Sequence, residues 1–195
     1  MSRTGAKVPT SAFIQTETGN IVSRQSVIYG SQNIVLAGKS ILSPGCVLRG
    51  DLRRSAATSS TTSGGGATVV IAMGKYCFVG EQSVLRPCYK TFKGTFSYYP
   101  MKIGDYVTIG AGSVVEAASI GTGVEIGKNC IIGPLSILKD YCKIADGAIL
   151  GAGTIVPSLT EWSGSPAKSI QQLAESTPEI AEAKAKAVYN SFRTD

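Results

Sequence analysis

The chain has 195 residues, 43% of them hydrophobic and 16% charged, a size and balance that a single domain with one continuous core accommodates. Its formal net charge is +6 and it has no histidine, so it lacks the side chain that ordinarily supplies a base near neutral pH or an imidazole ligand for zinc. No apolar run reaches membrane-spanning length and no charged-then-apolar leader opens the chain, which makes a cytoplasmic protein the expectation.

Residues 1–20 are read as an N-terminal segment, and residues 20–35 repeat only weakly and are expected to pair with a neighbouring element. From Leu36 a six-residue period sets in. Leu36, Leu42 and Leu48 open LAGKSI, LSPGCV and LRGDLR, and Ser40 and Cys46 fill the fifth slot of their hexads. Met73, Val79 and Leu85 open a second set, with Cys77 and Ser83 in the slot, and Ile103, Ile109 and Val115 a third, with Val107, Ser113 and Ser119. The step from Val115 to Ile120 is one residue short. From there IGTGVE, IGKNCI, IGPLSI, LKDYCK, IADGAI and LGAGTI run in phase to Val156.

Three such hexads make one triangular coil of a left-handed parallel β-helix, with the opening aliphatic pointing inward and a small or branched residue near the corner. Gly or another small residue often follows the aliphatic, where the backbone turns and a Cβ would clash. The fold class expected is therefore all-β, a single-stranded left-handed parallel β-helix over residues 21–160 with a C-terminal α-helix. It has about five to six coils and, at the ~4.8 Å spacing of paired strands, a length on the order of 25 to 30 Å. An ordinary β-sandwich would instead alternate with turns every ~8–12 residues. Cys46, Cys77, Cys130 and Cys142 all occupy the small slot and read as core thiols, and without a CxxC pair a zinc site of cysteines alone is not expected.

Two excursions interrupt the period. Residues 53–68, RRSAATSSTTSGGGAT, have no periodicity and no bulky apolar side chain, and read as an unstructured tether, with a phosphorylatable tether as the alternative. Residues 86–102, RPCYKTFKGTFSYYPMK, hold five of the fourteen aromatic residues with four cations and no acid. Leu85 and Ile103 are eighteen residues apart, so the phase survives, while Thr91 and Ser97 stand where aliphatics belong. A projecting loop is expected. Rings among cations suit a protein-binding surface, and Arg86, Tyr89, Lys90, Phe92, Lys93, Phe96, Tyr98, Tyr99 and Lys102 are the candidate partner-binding residues. Rings folded back onto the prism, or base stacking, are the competing readings. Residues 1–60 carry seven Lys or Arg against Glu17 and Asp51, so the basic surplus lies toward the N-terminal coils, a balance that suits an acidic protein surface.

Residues 161–195 form the C-terminal turn and helix. Pro157 and Pro166 bracket Trp162, which is expected to turn the chain off the last coil. Residues 176–192 then read as a helix covering the open end of the prism, with a capping box at Ser176 and Glu179, Pro178 in the first turn, and a buried stripe of Ile180, Ala183, Ala187 and Val188.

Around Arg49-Gly50-Asp51 and IGDYVTIGAGSVVE the chain is similar to the γ-class carbonic anhydrases, but Ala111 and Glu116 align where that family places two zinc-binding histidines five residues apart. Glu116, Asp51 and Glu81 are the carboxylates that could otherwise serve as a base. Arg49 and Asp51 are expected to pair, and Glu81 and Glu116 to be ordinary outward positions. The alternative function is therefore a hexapeptide-repeat acyltransferase or γ-carbonic-anhydrase-like enzyme with a non-histidine site.

The order of SGNIVSRQSVIYGSQNIVLAGKSIL, LRGDL, SVLRP, KIGDYVTIG, IGKNCIIG, LKDYCKI and SGSPA resembles the dynactin subunit 5 family over most of residues 12–170. Residues 53–68 depart from it and the C-terminal helix matches loosely. The resemblance implies a non-catalytic, cytoskeleton-associated scaffold without a cofactor at the dynactin pointed end. The partners it implies are dynactin subunit 6 as a β-helical mate, the pointed-end actin-related protein with a neighbouring pointed-end subunit, and cargo adaptors for dynein, notably on early endosomes. It implies no nucleic acid and no membrane insertion.

Overall fold

The computed structural model of the chain describes residues 12–53 and 69–192, with the side chain of Phe92 excepted. Short strands climb a left-handed parallel β-helix and stack into three faces. The first face runs through Ile21–Ser23, Ile41–Leu42, Phe78–Val79, Thr108–Ile109, Glu125–Ile126, Lys143–Ile144 and Thr160–Gly164. The second runs from Val27–Tyr29 to Ile149–Leu150 and the third from Ile34–Gly38 to Ile155–Val156. The weakly periodic residues 20–35 are thus the first coil. Tyr29 ends its second strand with an exposed ring and Asn33 enters its third through a 3-10 turn, which is why the hexad pattern fades there.

Each hexad-opening aliphatic sits directly over the next. Leu36 pairs in register with Met73, Met73 with Ile103, Ile103 with Ile120, Ile120 with Leu138 and Leu138 with Val156. Equivalent columns run from Leu42 to Ile144 and from Leu48 to Leu150. Apart from Leu36 in the first coil, these side chains are buried and form one cluster along the prism axis, each contributing about 1.5–3 kcal/mol of apolar transfer.

Hydroxyls and thiols stitch the corners. Ser113 Oγ donates to Gly127 O at 2.8 Å in the next coil and accepts from Cys130 N at 3.0 Å. Cys130 Sγ then reaches Ala145 O at 3.1 Å, and Ser40 with Cys77 repeats the arrangement two coils below. The fifth slot is therefore small and also a donor from coil to coil. The glycines after the opening aliphatic serve a close approach, not a left-handed turn: a Cβ on Gly110 would lie 2.5 Å from the backbone of Gly127. The left-handed conformation falls two residues later, and at one corner it is occupied by Lys39, Tyr76, Tyr106, Gly123, Tyr141 and Leu159 in successive coils.

Between Leu85 and Met101 the projecting loop expected from the sequence is an antiparallel hairpin, Cys88–Phe92 with Thr95–Tyr99. Lys93 and Gly94, both at positive φ, make the two-residue turn that matches the twist of the strands. The hairpin leaves and re-enters directly beside the short corner between Val115 and Ile120, because Val84–Leu85 pairs with Val114–Val115 and Met101–Ile103 with Ser119–Ile120. The reading of residues 53–68 as a tether falls, beyond Arg53, outside the described residues.

The C-terminal helix, Thr177–Ser191, lies along the side of the prism and does not cover its end. Lys184 Nζ pairs with Glu125 at 2.8 Å, Tyr106 Oη donates to Glu182 at 3.2 Å, and Tyr189 Oη donates to Gly19 O at 2.6 Å in the first coil. Phe192 meets Phe13 edge-on, with ring centroids 5.1 Å apart. The inner stripe is accordingly the buried Ala185 with the half-buried Ala181, Val188 and Tyr189, while Ile180, Ala183 and Ala187 are exposed. Small residues win the inner positions because the helix passes close over Gly123, whose added Cβ would stand 3.4 Å from Ala181 Cβ. The capping box is absent as well: Ser176 makes no side-chain cap, and Thr177 Oγ1 donates instead to Ala174 O at 2.6 Å. Trp162 closes the C-terminal end of the core by taking the inward slot above Ile144, while Ala167–Gln172 pairs antiparallel beside it.

Candidate functional site

Alternation along the hairpin divides its residues by face. Cys88 pairs with Tyr99 and Lys90 with Ser97, and on that side Cys88 and Ser97 are buried against the prism. Tyr89 pairs with Tyr98 and Thr91 with Phe96 on the opposite side. There three rings gather: Tyr89 and Phe96 stack at 5.5 Å, and Tyr98 stands edge-on to Phe96 at 4.9 Å and to Tyr89 at 6.5 Å. Tyr89 remains 40% and Phe96 42% exposed, so this cluster faces solvent. Rings in these geometries hold one another rigid while presenting apolar area at low entropy cost.

Of the nine residues singled out in the sequence, the structure brings together Tyr89, Phe96 and Tyr98, with Lys93 exposed at the turn and Lys90 exposed on the opposite side of its strand. Tyr99 is half-buried, and the side chain of Phe92 lies outside the described residues. Arg86 is not in the cluster: it is back on the second face, ion-paired to the buried Glu116, and its Nε is buried without a hydrogen-bond partner among the described residues. Lys102 belongs to the third face, between Ala72 and Ser119 of the adjoining coils.

Sequence reasoning missed Tyr29 and Arg49. Arg49 lies over the Tyr29 ring at 5.1 Å, and Tyr98 is among the groups acting on its charge. Arg49 also grips Asp51 with two bonds of 2.7 and 2.8 Å, which holds the Asp51 carboxyl below the usual carboxylate range. The pairing was legible in Arg-Gly-Asp. The proximity to the hairpin was not, since it joins residues some fifty positions apart.

The carboxylates considered as bases are engaged or displaced. Glu116 is taken by Arg86, Asp51 by Arg49, and Glu81 stands on a groove of about 560 Å³ between the first face and the helix end. That groove is lined by Phe13, Phe78 and Phe192 together with Ala111, whose methyl group offers no donor atom. Among the described residues no group of three or more Cys, Asp or Glu is placed to hold a metal ion. The cysteines are all buried thiols; burial pushes Cys77 and Cys142 up to about 12 and Cys46 up to about 11.

A stack of hexapeptide coils with a rigid aromatic hairpin and a helix strapped along one side defines a hexapeptide-repeat protein of the left-handed β-helix class. A hexapeptide transferase family protein from Anaplasma phagocytophilum has the same fold, with a TM-score of 0.59, 19% identity, and coverage of 89% of this chain and 93% of that one. The family model described as Dynactin subunit 5 matches residues 6–194, and the chain belongs to that family. Dynactin subunit 5 of Dictyostelium discoideum is 40% identical over 112 residues, a segment covering 57% of this chain and 48% of that protein. Gamma carbonic anhydrase 1 of Arabidopsis thaliana mitochondria is 23% identical over 159 residues, or 80% of this chain and 51% of that one.

Proposed function

We propose that the chain is a non-catalytic scaffold subunit of the dynactin pointed-end complex. Its coils serve as a rigid support and its hairpin docks other proteins. The observation that carries this reading is the solvent-facing cluster of Tyr89, Phe96 and Tyr98, because large rings held outward on a two-stranded hairpin are costly to leave exposed unless a partner covers them. Family membership supports it, as does the state of the positions that align with the anhydrase histidines, where Ala111 has no ligand atom and Glu116 is ion-paired. The partners proposed are dynactin subunit 6, the pointed-end actin-related protein with its neighbouring subunit, and cargo adaptors. The setting proposed is the cytoplasm, on the cytoskeleton, in dynein-driven transport along microtubules that includes early endosomes.

The test is replacement of Tyr89, Phe96 and Tyr98 by Ser, with Lys90 and Lys93 changed to Gln, in the full chain. Unchanged circular dichroism and thermal midpoint with loss of co-purifying pointed-end subunits and adaptors is the expected result. Retention of all of them at wild-type levels in a folded variant overturns the proposal. Stoichiometric zinc or saturable acyl-CoA binding by the purified chain would favour an enzyme instead, and a homotrimer in mass photometry would argue against heteromeric assembly.

A further inference from the structure

Where the helix crosses the column of left-handed corners, a hollow of about 370 Å³ opens beside the first coils, lined by Thr18, Gly38, Lys39, Lys75, Tyr76, Tyr106 and Lys186. Three lysines therefore line one small concavity. Among the described residues neither Lys39 nor Lys75 has an ion-pair partner. Of the two carboxylates nearby, Glu182 accepts from Lys186 and from Tyr106 Oη and Asp105 accepts from the backbone N–H of Lys75 at 2.7 Å, so three lysines stand against two acids and positive charge remains in excess.

The donors left over point to an oxyanion. Lys39 Nζ donates to Tyr76 Oη at 3.0 Å, which occupies one of its three protons and leaves the Tyr76 hydroxyl proton available to a ligand. Lys75, exposed and lining the same hollow, brings a second ammonium group to it. The same contacts decide what kind of anion fits. Tyr76 and Tyr106 stack on each other at 5.7 Å, Lys39 covers the Tyr76 ring and Lys186 the Tyr106 ring, and Tyr189 packs edge-on against Tyr76. No ring face is open for a base to stack on, so a nucleic acid has phosphate contacts only and no aromatic platform. Lys39 and Lys75, both exposed, line the hollow where the helix crosses the prism corner, so the side chains of a polypeptide laid along that crossing reach them.

We propose that this hollow is a docking site for the carboxylate side chains of an acidic polypeptide segment, held between Lys39, Lys75 and the Tyr76 hydroxyl. It stands on geometry separate from the aromatic hairpin and does not rest on the proposed function. Fluorescein-labelled hexaglutamate, titrated into the full chain and followed by anisotropy, is the probe. Saturable binding is expected, weakening several-fold between 50 and 200 mM salt (about the range over which exposed charges become screened). K39Q/K75Q is expected to weaken binding roughly tenfold, whereas K139Q/K168Q, which removes the same charge elsewhere, changes it less than about twofold. Backbone amide shifts induced by the peptide are expected at Lys39, Lys75, Tyr76 and Tyr106. Equal loss in both double variants, shifts that map to another surface, or no saturable binding at 50 mM salt overturns the proposal. Circular dichroism of each variant separates loss of the site from loss of the fold.

Discussion

At the scale of single residues the coils are set by contacts too close to tolerate substitution. A methyl group on Gly110 meets only backbone atoms of Gly127 and Lys128, which cannot move without separating two coils. Gly147 also lacks a side chain, but there the reason is its φ of 70°, and a Cβ would meet nothing within 4 Å. Asn129 occupies the equivalent corner one coil earlier with a φ of 54°, so a side chain can be borne. Gly147→Ala should therefore cost about 1–2 kcal/mol and Gly110→Ala about 3 kcal/mol or more. A thermal melt in which Gly147→Ala is the worse of the two would refute the close-approach explanation. The thiols supply a second prediction. Burial holds Cys77 and Cys142 up to about 12 and Cys46 up to about 11, far from the thiolate state that reacts. At pH 8 the native protein should show no fast reaction with a disulfide reagent, and all five thiols should react once guanidinium unfolds it. Rapid reaction of even one thiol in the native state would mean that the coil it occupies opens readily.

At the scale of elements, the last strand of the first face is secured by a charge. Glu161 is buried, takes Lys143 Nζ at 2.9 Å and is also bonded by Gln171 from the antiparallel strand. Lys143 first, and then Gln171, lowers the Glu161 pKa, and Glu161 raises that of Lys143. A depressed carboxyl pKa stabilises the fold above the unfolded value near 4.5, and that contribution disappears as pH falls through the lower folded value. The raised Lys143 value confines the other limit to pH above about 10. Glu161→Gln should thus cost on the order of 1 kcal/mol at pH 7, Lys143 being partly exposed, and nothing at pH 3. Denaturant midpoints measured at both values check this; a gap that persists at pH 3 would rule out the ion pair as its source. The helix and hairpin show what the sequence could and could not disclose at this scale. Pro178 and the alanine run announced a helix, but its inner face was misassigned because hydrophobicity favoured Ile180, whereas the approach over Gly123 selects Ala181, and Ala185 one turn on is the buried residue. Tyr76, Tyr106 and Tyr141 recur in the fourth position of their hexads, and that recurrence was the available signal for the column on which the helix rests.

At the scale of the whole molecule, the β-helix was legible because inward aliphatics at a fixed period leave a register with no competitor, and every pairing from Leu36 to Val156 follows it. The solvent-facing hairpin was legible as composition only. The rings and cations of residues 86–102 marked a projecting segment, but its pairing as a hairpin and the choice of which rings point outward depend on Cys88 and Ser97 packing inward, and that is tertiary information. A stack of like coils has the further property that each is secured by its neighbours, so its stability is greatest in the middle and its ends are open. Antiparallel strands Phe13–Gln15 and Ala167–Gln172 cover the two ends of the first face. The second and third faces end at Ile149–Leu150 and Ile155–Val156 among the described residues. One coil earlier Ile131 N donates to Ala148 O and Ile137 N to Thr154 O; the corresponding amides of Ile149 and Ile155 have no following coil to receive them. Pro157, next in line, has no amide proton, a common way of blunting such an edge. Hydrogen exchange should therefore be fast at Ile149 and Ile155 and slow at Ile131 and Ile137 in the isolated chain, a contrast of several orders of magnitude across one coil. If the isolated chain protects Ile149 and Ile155 as strongly as Ile131 and Ile137, the end is already covered, and end-on stacking of a second copy is the explanation that mass photometry would then have to bear out.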